Sequence, residues 1–137
     1  MQIVEIKWDK FSYQELFKID WFYPYYLYLI VRGTNLIYIG LTYYTDFAYE
    51  INYNMKRCNI NSLGLHFWLG EFKCEKSDFE RISKKLVKDV ESLLIFYHKP
   101  SHNISNINTY YGRSNLKIKN MGCPYLEKNV NSEKLNH

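Results

Sequence analysis

The sequence predicts an α/β chain built as one domain, with a small, mainly antiparallel central sheet flanked by helices in the order ββαβα plus a C-terminal edge strand. Three observations carry this. Two β-branched and aromatic runs, residues 25–31 and 36–40, flank Arg32-Gly33-Thr34-Asn35 and read as a hairpin. Two later segments repeat apolar residues at helical spacing, with a strand-like run between them. The 137 residues, 47% hydrophobic and 23% charged, suit one packed core and exclude disorder, collagen and coiled coil.

The elements follow in order. Residues 1–24 are expected as an N-terminal extension packed on the core. Glu5, Asp9, Glu15 and Asp20 interrupt its apolar residues, so it lacks the blocks of a signal peptide and a cytoplasmic protein is expected. The apolar stretch from Trp21 to Val31 contains Pro24 and falls far short of the ~20 residues that cross a bilayer, so no membrane partner is expected. In the hairpin, a loop of Gly33 to Asn35 pairs Arg32 with Leu36 and puts Tyr28 and Tyr38 on one face; a slip of one residue would separate them.

Thr45 or Asp46 can cap a helix in which Phe47, Ile51 and Met55 recur every four residues and which ends near Arg57. Residues 65–72 read as a third strand, with Leu65, Phe67 and Leu69 on one side and His66 and Trp68 on the other. Ser77-Asp-Phe-Glu80 matches a capping box, and Phe79, Ile82, Leu86, Val90, Leu93 and Tyr97 follow at helical spacing until Pro100. The alternation Leu116-Lys-Ile118-Lys predicts a short edge strand with a basic outer face. Residues 123–137 are expected as a polar tail, loosest from Glu127 onward.

Few side chains carry chemistry by type and place. Cys58, Cys74 and Cys123 form no CxxC pair and read as reduced thiols; His66 could be a base or ligand but, alone in an alternating strand, reads as a packed or surface residue, and His98, His102 and His137 form no ligand spacing with one another. No glycine loop that could cradle phosphate and no GxSxG is present. The Tyr, Asn, Lys and Ile bias carries little functional weight. Lys plus Arg exceed Asp plus Glu by 18 to 14, which permits contact with a polyanion without requiring it.

Glu91 stands out by position, because it lies beside an apolar helical stripe with Val87 and Ile95 four residues to either side. Either its head stays in water, or a cation, a hydrogen-bond set or a metal ion compensates its burial. Tyr28 and Tyr38 alone would be core aromatics that send their hydroxyls to solvent. Basic residues gather at Lys84, Lys85 and Lys88 and again at Arg113, Lys117 and Lys119; each group suits phosphates or a plain solvated face.

The hairpin together with Glu91 resembles the GIY-YIG endonuclease domain. The first signature is similar to Tyr26-Leu27-Tyr28, and the second stands intact at Tyr38-Ile39-Gly40, ten residues on between the tyrosines. Glu91-Ser-Leu-Leu-Ile-Phe-Tyr-His-Lys-Pro100-Ser-His-Asn103 resembles the family's helix with its metal-binding glutamate, followed by Pro and Asn, and Tyr111-Gly112-Arg113 through Asn120-Met-Gly122 is similar to the tail of one subgroup. The resemblance covers about residues 26–122 and implies a GIY-YIG-like nuclease domain at 25–122.

It implies phosphodiester hydrolysis in DNA, with RNA as the alternative substrate, using one Mg²⁺ or Mn²⁺ ion held by Glu91. Tyr28 would act as general base on the attacking water or position it, with Tyr38 in the same cluster; base catalysis would need positive charge nearby, since a free phenol has a pKa near 10. Lys56, Lys88, Asn103, Arg113, Lys117 and Lys119 are the expected nucleic-acid contacts. One active site cuts one strand, so a double-strand break calls for a homodimer or sequential nicking.

Two departures from the family pattern stand in the sequence. Tyr26 replaces the glycine of the first signature. Glu50 falls where the family has a phosphate-binding arginine, and the next cation on that helical face is Arg57, about 10 Å along the axis. Glu50 favours a rival reading, a catalytically impaired module that binds nucleic acid or protein; intact Tyr28, Tyr38 and Glu91 favour the enzyme. A coincidental motif would leave those three residues far apart in the fold.

Overall fold

The computed structural model describes residues 2–18, 25–43, 47–73 and 82–133. Its strands are β1 (Gln2–Phe11), β2 (Tyr25–Arg32), β3 (Asn35–Tyr43), β4 (Leu65–Phe72), β5 (Leu116–Met121) and β6 (Asn129–Asn131), and its helices are α1 (Phe47–Arg57) and α2 (Lys84–His98). The strands form one six-stranded sheet in the order β3-β2-β4-β1-β5-β6. All neighbours pair antiparallel except β1 and β5, so the architecture is mixed α/β with a mainly antiparallel sheet.

Alternation along the strands makes two cores. Val4, Ile6, Trp8, Leu27, Leu29, Val31, Ile39, Leu116 and Ile118 point to one face, where Leu86, Val87, Val90, Leu93 and Leu94 of α2 cover them. Tyr26, Tyr28, Ile30, Tyr38, Phe67 and Leu69 point to the other face and meet Ile51 and Met55 of α1 and Leu16 of a short 3-10 turn at Glu15–Lys18. The sheet is thus packed on both sides over β2, β3 and β4.

The hairpin closes more tightly than expected. Arg32 pairs with Asn35, leaving Gly33-Thr34 as a two-residue turn with Gly33 at φ 61°, a conformation glycine adopts without a Cβ clash. Continued unbroken, that register would set Tyr28 and Tyr38 on opposite faces. A bulge between Ile30 and Val31 shifts the pairing, so that Ile30 faces Tyr38 and Tyr28 faces Gly40. Both tyrosines therefore share the α1 face, by way of a bulge.

Three segments differ from the sequence expectation. Residues 2–11, expected as an extension on the core, are a strand inside the sheet, where β1 joins β4 to β5. Their alternation of Val4, Ile6 and Trp8 with Glu5, Lys7 and Asp9 suits that position, and the buried Trp8 Nε1 donates to Asn120 Oδ1 at 3.0 Å to tie β1 to β5. β5 is consequently an interior strand. The edge beyond it is β6, from the stretch expected to be loose, and Val130 and Ser132 there are fully buried.

The long helix also starts later than its apolar spacing suggests. Ser83 has an extended backbone, φ −74° and ψ 156°, and its Oγ accepts the Leu86 N–H at 3.1 Å, so α2 is capped there and Ile82 precedes it. The Ser77–Glu80 box and the Thr45 and Asp46 caps lie outside the described residues. Leu94 and Ile95 fill the α2 stripe, while Tyr97, expected on it, is 46% exposed and packs edge-on against His98. Lys99 ends the helix in the left-handed conformation, its N–H on Ile95 O at 2.8 Å, and Pro100 prevents continuation.

Candidate active site

The site grows from the facing pair Tyr28 and Gly40. A Cβ on Gly40 would lie 2.2 Å from Tyr28 Cζ, so only glycine lets the phenol lie across β3. The Tyr28 and Tyr38 ring centroids are then 6.0 Å apart at 45°. α1 adds two polar groups from the margin of its apolar stripe. Asn54 Nδ2 donates to the Tyr28 hydroxyl at 2.5 Å, and Arg57 Nη2 donates to Asn54 Oδ1 at 3.2 Å and to the Tyr38 hydroxyl at 3.3 Å. One hydrogen-bonded chain thus joins Tyr28, Asn54, Arg57 and Tyr38.

Glu91 and Glu50 complete the cluster electrostatically. Glu91 sits on α2 between buried Val87 and Ile95, as its spacing implies, and α2 packs against β3. Burial pushes its carboxyl up to about 7; Lys88 one turn earlier pulls it down and Glu50 pushes it further up. No described residue donates a hydrogen bond to this carboxylate. Burial raises Tyr28 well above 10, with the Tyr38, Glu50 and Glu91 charges adding to it against the Asn54 hydrogen bond. Burial and Cys58 raise Tyr38, while Arg57 opposes them and Glu91 adds. Both phenols are therefore protonated near neutral pH.

A loop after α2 holds the outer edge of β3 at this point. Asn103 accepts the Ile39 N–H at Oδ1 and donates from Nδ2 to Ile39 O, both at 2.9 Å, and His102 N donates to Ile37 O at 2.9 Å. Tyr38 is thereby fixed from both sides. Asn103, expected to contact nucleic acid, is buried and its amide is consumed as this clamp.

Of the other expected contacts, Lys56 and Lys88 are exposed, Lys56 beside Arg57 in the α1 sequence and Lys88 one turn before Glu91 on α2, where its charge reaches that carboxyl. Arg113 is tied down: Nε meets Asp89 Oδ2 at 2.8 Å, Nη1 bonds Gln2, and its carbonyl accepts from Tyr110 and Ser132, so it joins α2 to the sheet. Lys117 and Lys119 alternate with buried Leu116 and Ile118 on β5, three strands from Tyr28 and so about 14 Å across the sheet. Sequence reasoning missed Asn54; its signal was a polar residue three positions before Arg57 at the margin of the Ile51–Met55 stripe.

The assembly offers phenolic donors, one guanidinium and two carboxylates, a set suited to an oxyanion with a hard cation. Among the described residues no three His, Cys, Asp or Glu side chains gather as a metal cage, and no helix is long and apolar enough to cross a membrane. Compared with protein-family models, curated proteins and solved structures, the chain matches none.

Proposed function

We propose that this chain is a divalent-metal-dependent endonuclease of GIY-YIG type that hydrolyses phosphodiester bonds in DNA. The observation that carries the reading is the convergence of Tyr28, Tyr38, Arg57 and Glu91 from a hairpin and two helices into one electrostatically coupled group.

The residues divide the work by charge. Tyr28 keeps its proton and is fully buried with its hydroxyl held by Asn54, so it does not act as the base and serves to position Asn54 and, through it, Arg57. Arg57, bonded to Tyr38 and otherwise exposed, is the cation that meets the phosphate. It takes over, two turns later, the part that Glu50 cannot play.

The donor set fits a hard divalent ion: Glu91 is a partly buried carboxylate with no hydrogen-bond donor among the described residues, and the Glu50 charge raises the cost of ionising it. Glu91 would hold Mg²⁺ or Mn²⁺, with Glu50 close by and water or phosphate oxygens completing the shell. Such an ion supplies electrostatic stabilisation of the charge that develops on the phosphate and leaving group.

The second reading, an impaired module that binds nucleic acid or protein, rests on Glu50, which adds negative charge to both Tyr28 and Glu91 where a phosphate would sit. Plasmid nicking with Mg²⁺ or Mn²⁺ separates the two. Wild-type nicking that is lost in Glu91→Ala and in a folded Tyr28→Phe supports the enzyme. Nicking seen only in Glu50→Arg assigns the wild type to the second reading.

A further inference from the structure

At the hairpin end of the sheet an open cleft of about 560 Å³ lies between the β2–β3 turn, the C-terminus of α2 and the loop after it. Arg32, Lys99, His98 and His102 line it together with Thr34, Asn35 and Ser101, and no carboxylate does among the described residues. Arg32 and Lys99 are held by hydrogen bonds, with no ion-pair partner among the described residues.

Arg32 donates from Nε to Leu63 O at 3.1 Å and from Nη2 to Asn61 O at 2.7 Å and Asn61 Oδ1 at 3.0 Å, which leaves Nη1 with no described partner. Lys99 donates from Nζ to Ile107 O and stands 4.4 Å from the Phe96 ring centroid. Neither forms an ion pair with a described residue. The Glu127 carboxylate, outside the lining, reaches His98 electrostatically, and the backbone N–H of Glu127 donates to His98 Nε2.

Neutral carbonyls fix these side chains in place without cancelling their charge. Binding an anion there costs little reorganisation, and the hydroxyl of Thr34 and the amide of Asn35 can complete its hydrogen bonds, while Ser101 Oγ is already bonded to His102 Nδ1 at 2.9 Å. The cleft also adjoins the active-site cluster: Ile37, which lines it, immediately precedes Tyr38 on β3, and His102 is bonded to the Ile37 carbonyl.

We propose that this cleft binds a backbone phosphate of the polynucleotide, a neighbour in the strand of the phosphate that meets Arg57, and so sets the strand's path along the β3 edge. The identity of the polymer rests on the nuclease reading; the phosphate chemistry rests on the cleft itself.

The test is fluorescence anisotropy of a labelled single-stranded and a labelled duplex oligodeoxynucleotide in EDTA across a salt series. Lys99→Gln keeps a donor for Ile107 but removes the charge. Asn35→Asp is isosteric and adds a negative charge at an exposed position, so it tests the cleft without disturbing packing. Each should weaken binding about tenfold, and Lys99→Gln should lower the salt slope by about one. Lys128→Gln, exposed and not part of the cleft lining, should change neither by as much.

Wild-type affinity in both cleft variants, or an equal loss in Lys128→Gln, overturns the proposal. Displacement of the oligonucleotide by inorganic phosphate, beyond the effect of a salt of matched ionic strength, identifies a free-anion pocket and overturns it as well. Because binding is read without turnover, an inactive protein with cleft-dependent binding sinks only the nuclease reading. An active one with cleft-independent binding sinks only this proposal.

Discussion

Replacing Glu91 by glutamine should stabilise the protein, and the gain should depend on pH. Its carboxyl is raised from an ordinary 4.5 to about 7 by burial and by Glu50. Ionising it in the folded chain therefore costs about 3 kcal/mol more than in the unfolded chain, at about 1.4 kcal/mol per pH unit. The sign follows from proton binding. Between pH 4.5 and 7 the folded state keeps a proton that the unfolded state has released, so wild-type stability falls as pH rises through this window and levels off above it. Glutamine carries no charge to desolvate. In urea titrations with chelator, Glu91→Gln should exceed wild type by about 3 kcal/mol at pH 8 and by less than about 1 kcal/mol at pH 5. A variant equal to or weaker than wild type at pH 8, or a difference of the same size at both pH values, would refute the burial argument.

Four further outcomes are expected. Millimolar Mg²⁺ or Mn²⁺ should raise the midpoint of thermal unfolding of wild type at pH 8 and leave Glu91→Gln unmoved, and chelator should reverse the gain. Gly40→Ala forces a methyl group into the Tyr28 ring, at 2.2 Å in the present geometry, and should lower stability by about 1–3 kcal/mol or more by thermal unfolding. Asn103→Ala removes both bonds to Ile39, so hydrogen exchange at the Ile39 amide should accelerate and stability should drop by about 2 kcal/mol. His98 accepts the Glu127 N–H at Nε2 and must donate from Nδ1 to Leu94 O, and burial lowers its pKa below 6.5. His98 should accordingly contribute a loss of stability as pH falls from about 6.5, opposing the Glu91 contribution, so relative to wild type His98→Gln should gain stability toward low pH.

Local pattern made much of the fold legible. Ile51 and Met55 marked α1, alternation marked β4, and a β-branched and aromatic run on each side of Gly33 marked the hairpin, because each signal lies within one element. Long-range pairing was not legible. Val4, Ile6 and Trp8 alternate as plainly as any strand, but nothing local says that β1 inserts between β4 and β5, or that a three-residue strand beyond Glu127 closes the sheet. The shared face of Tyr28 and Tyr38 was anticipated from a different turn; the structure reaches it through a bulge that hydrophobic pattern does not encode. At the site, residue types marked Tyr28, Tyr38 and Glu91. Arg57 lay within reach of helical geometry, whereas the roles of Asn54 and Asn103 depend on partners 26 and 64 residues away in the chain.

The clamp that Asn103 and His102 place on β3 bears on how copies of this chain can meet. An outermost strand normally presents a ladder of vacant amides and carbonyls to which a second molecule can add its own strand. Here the stretch beside Tyr38 has those groups already spoken for, and the opposite rim ends in a strand three residues long. Self-association by zipping two sheets into one finds no long free seam among the described residues, which leaves side-chain surfaces as the means by which two copies could meet.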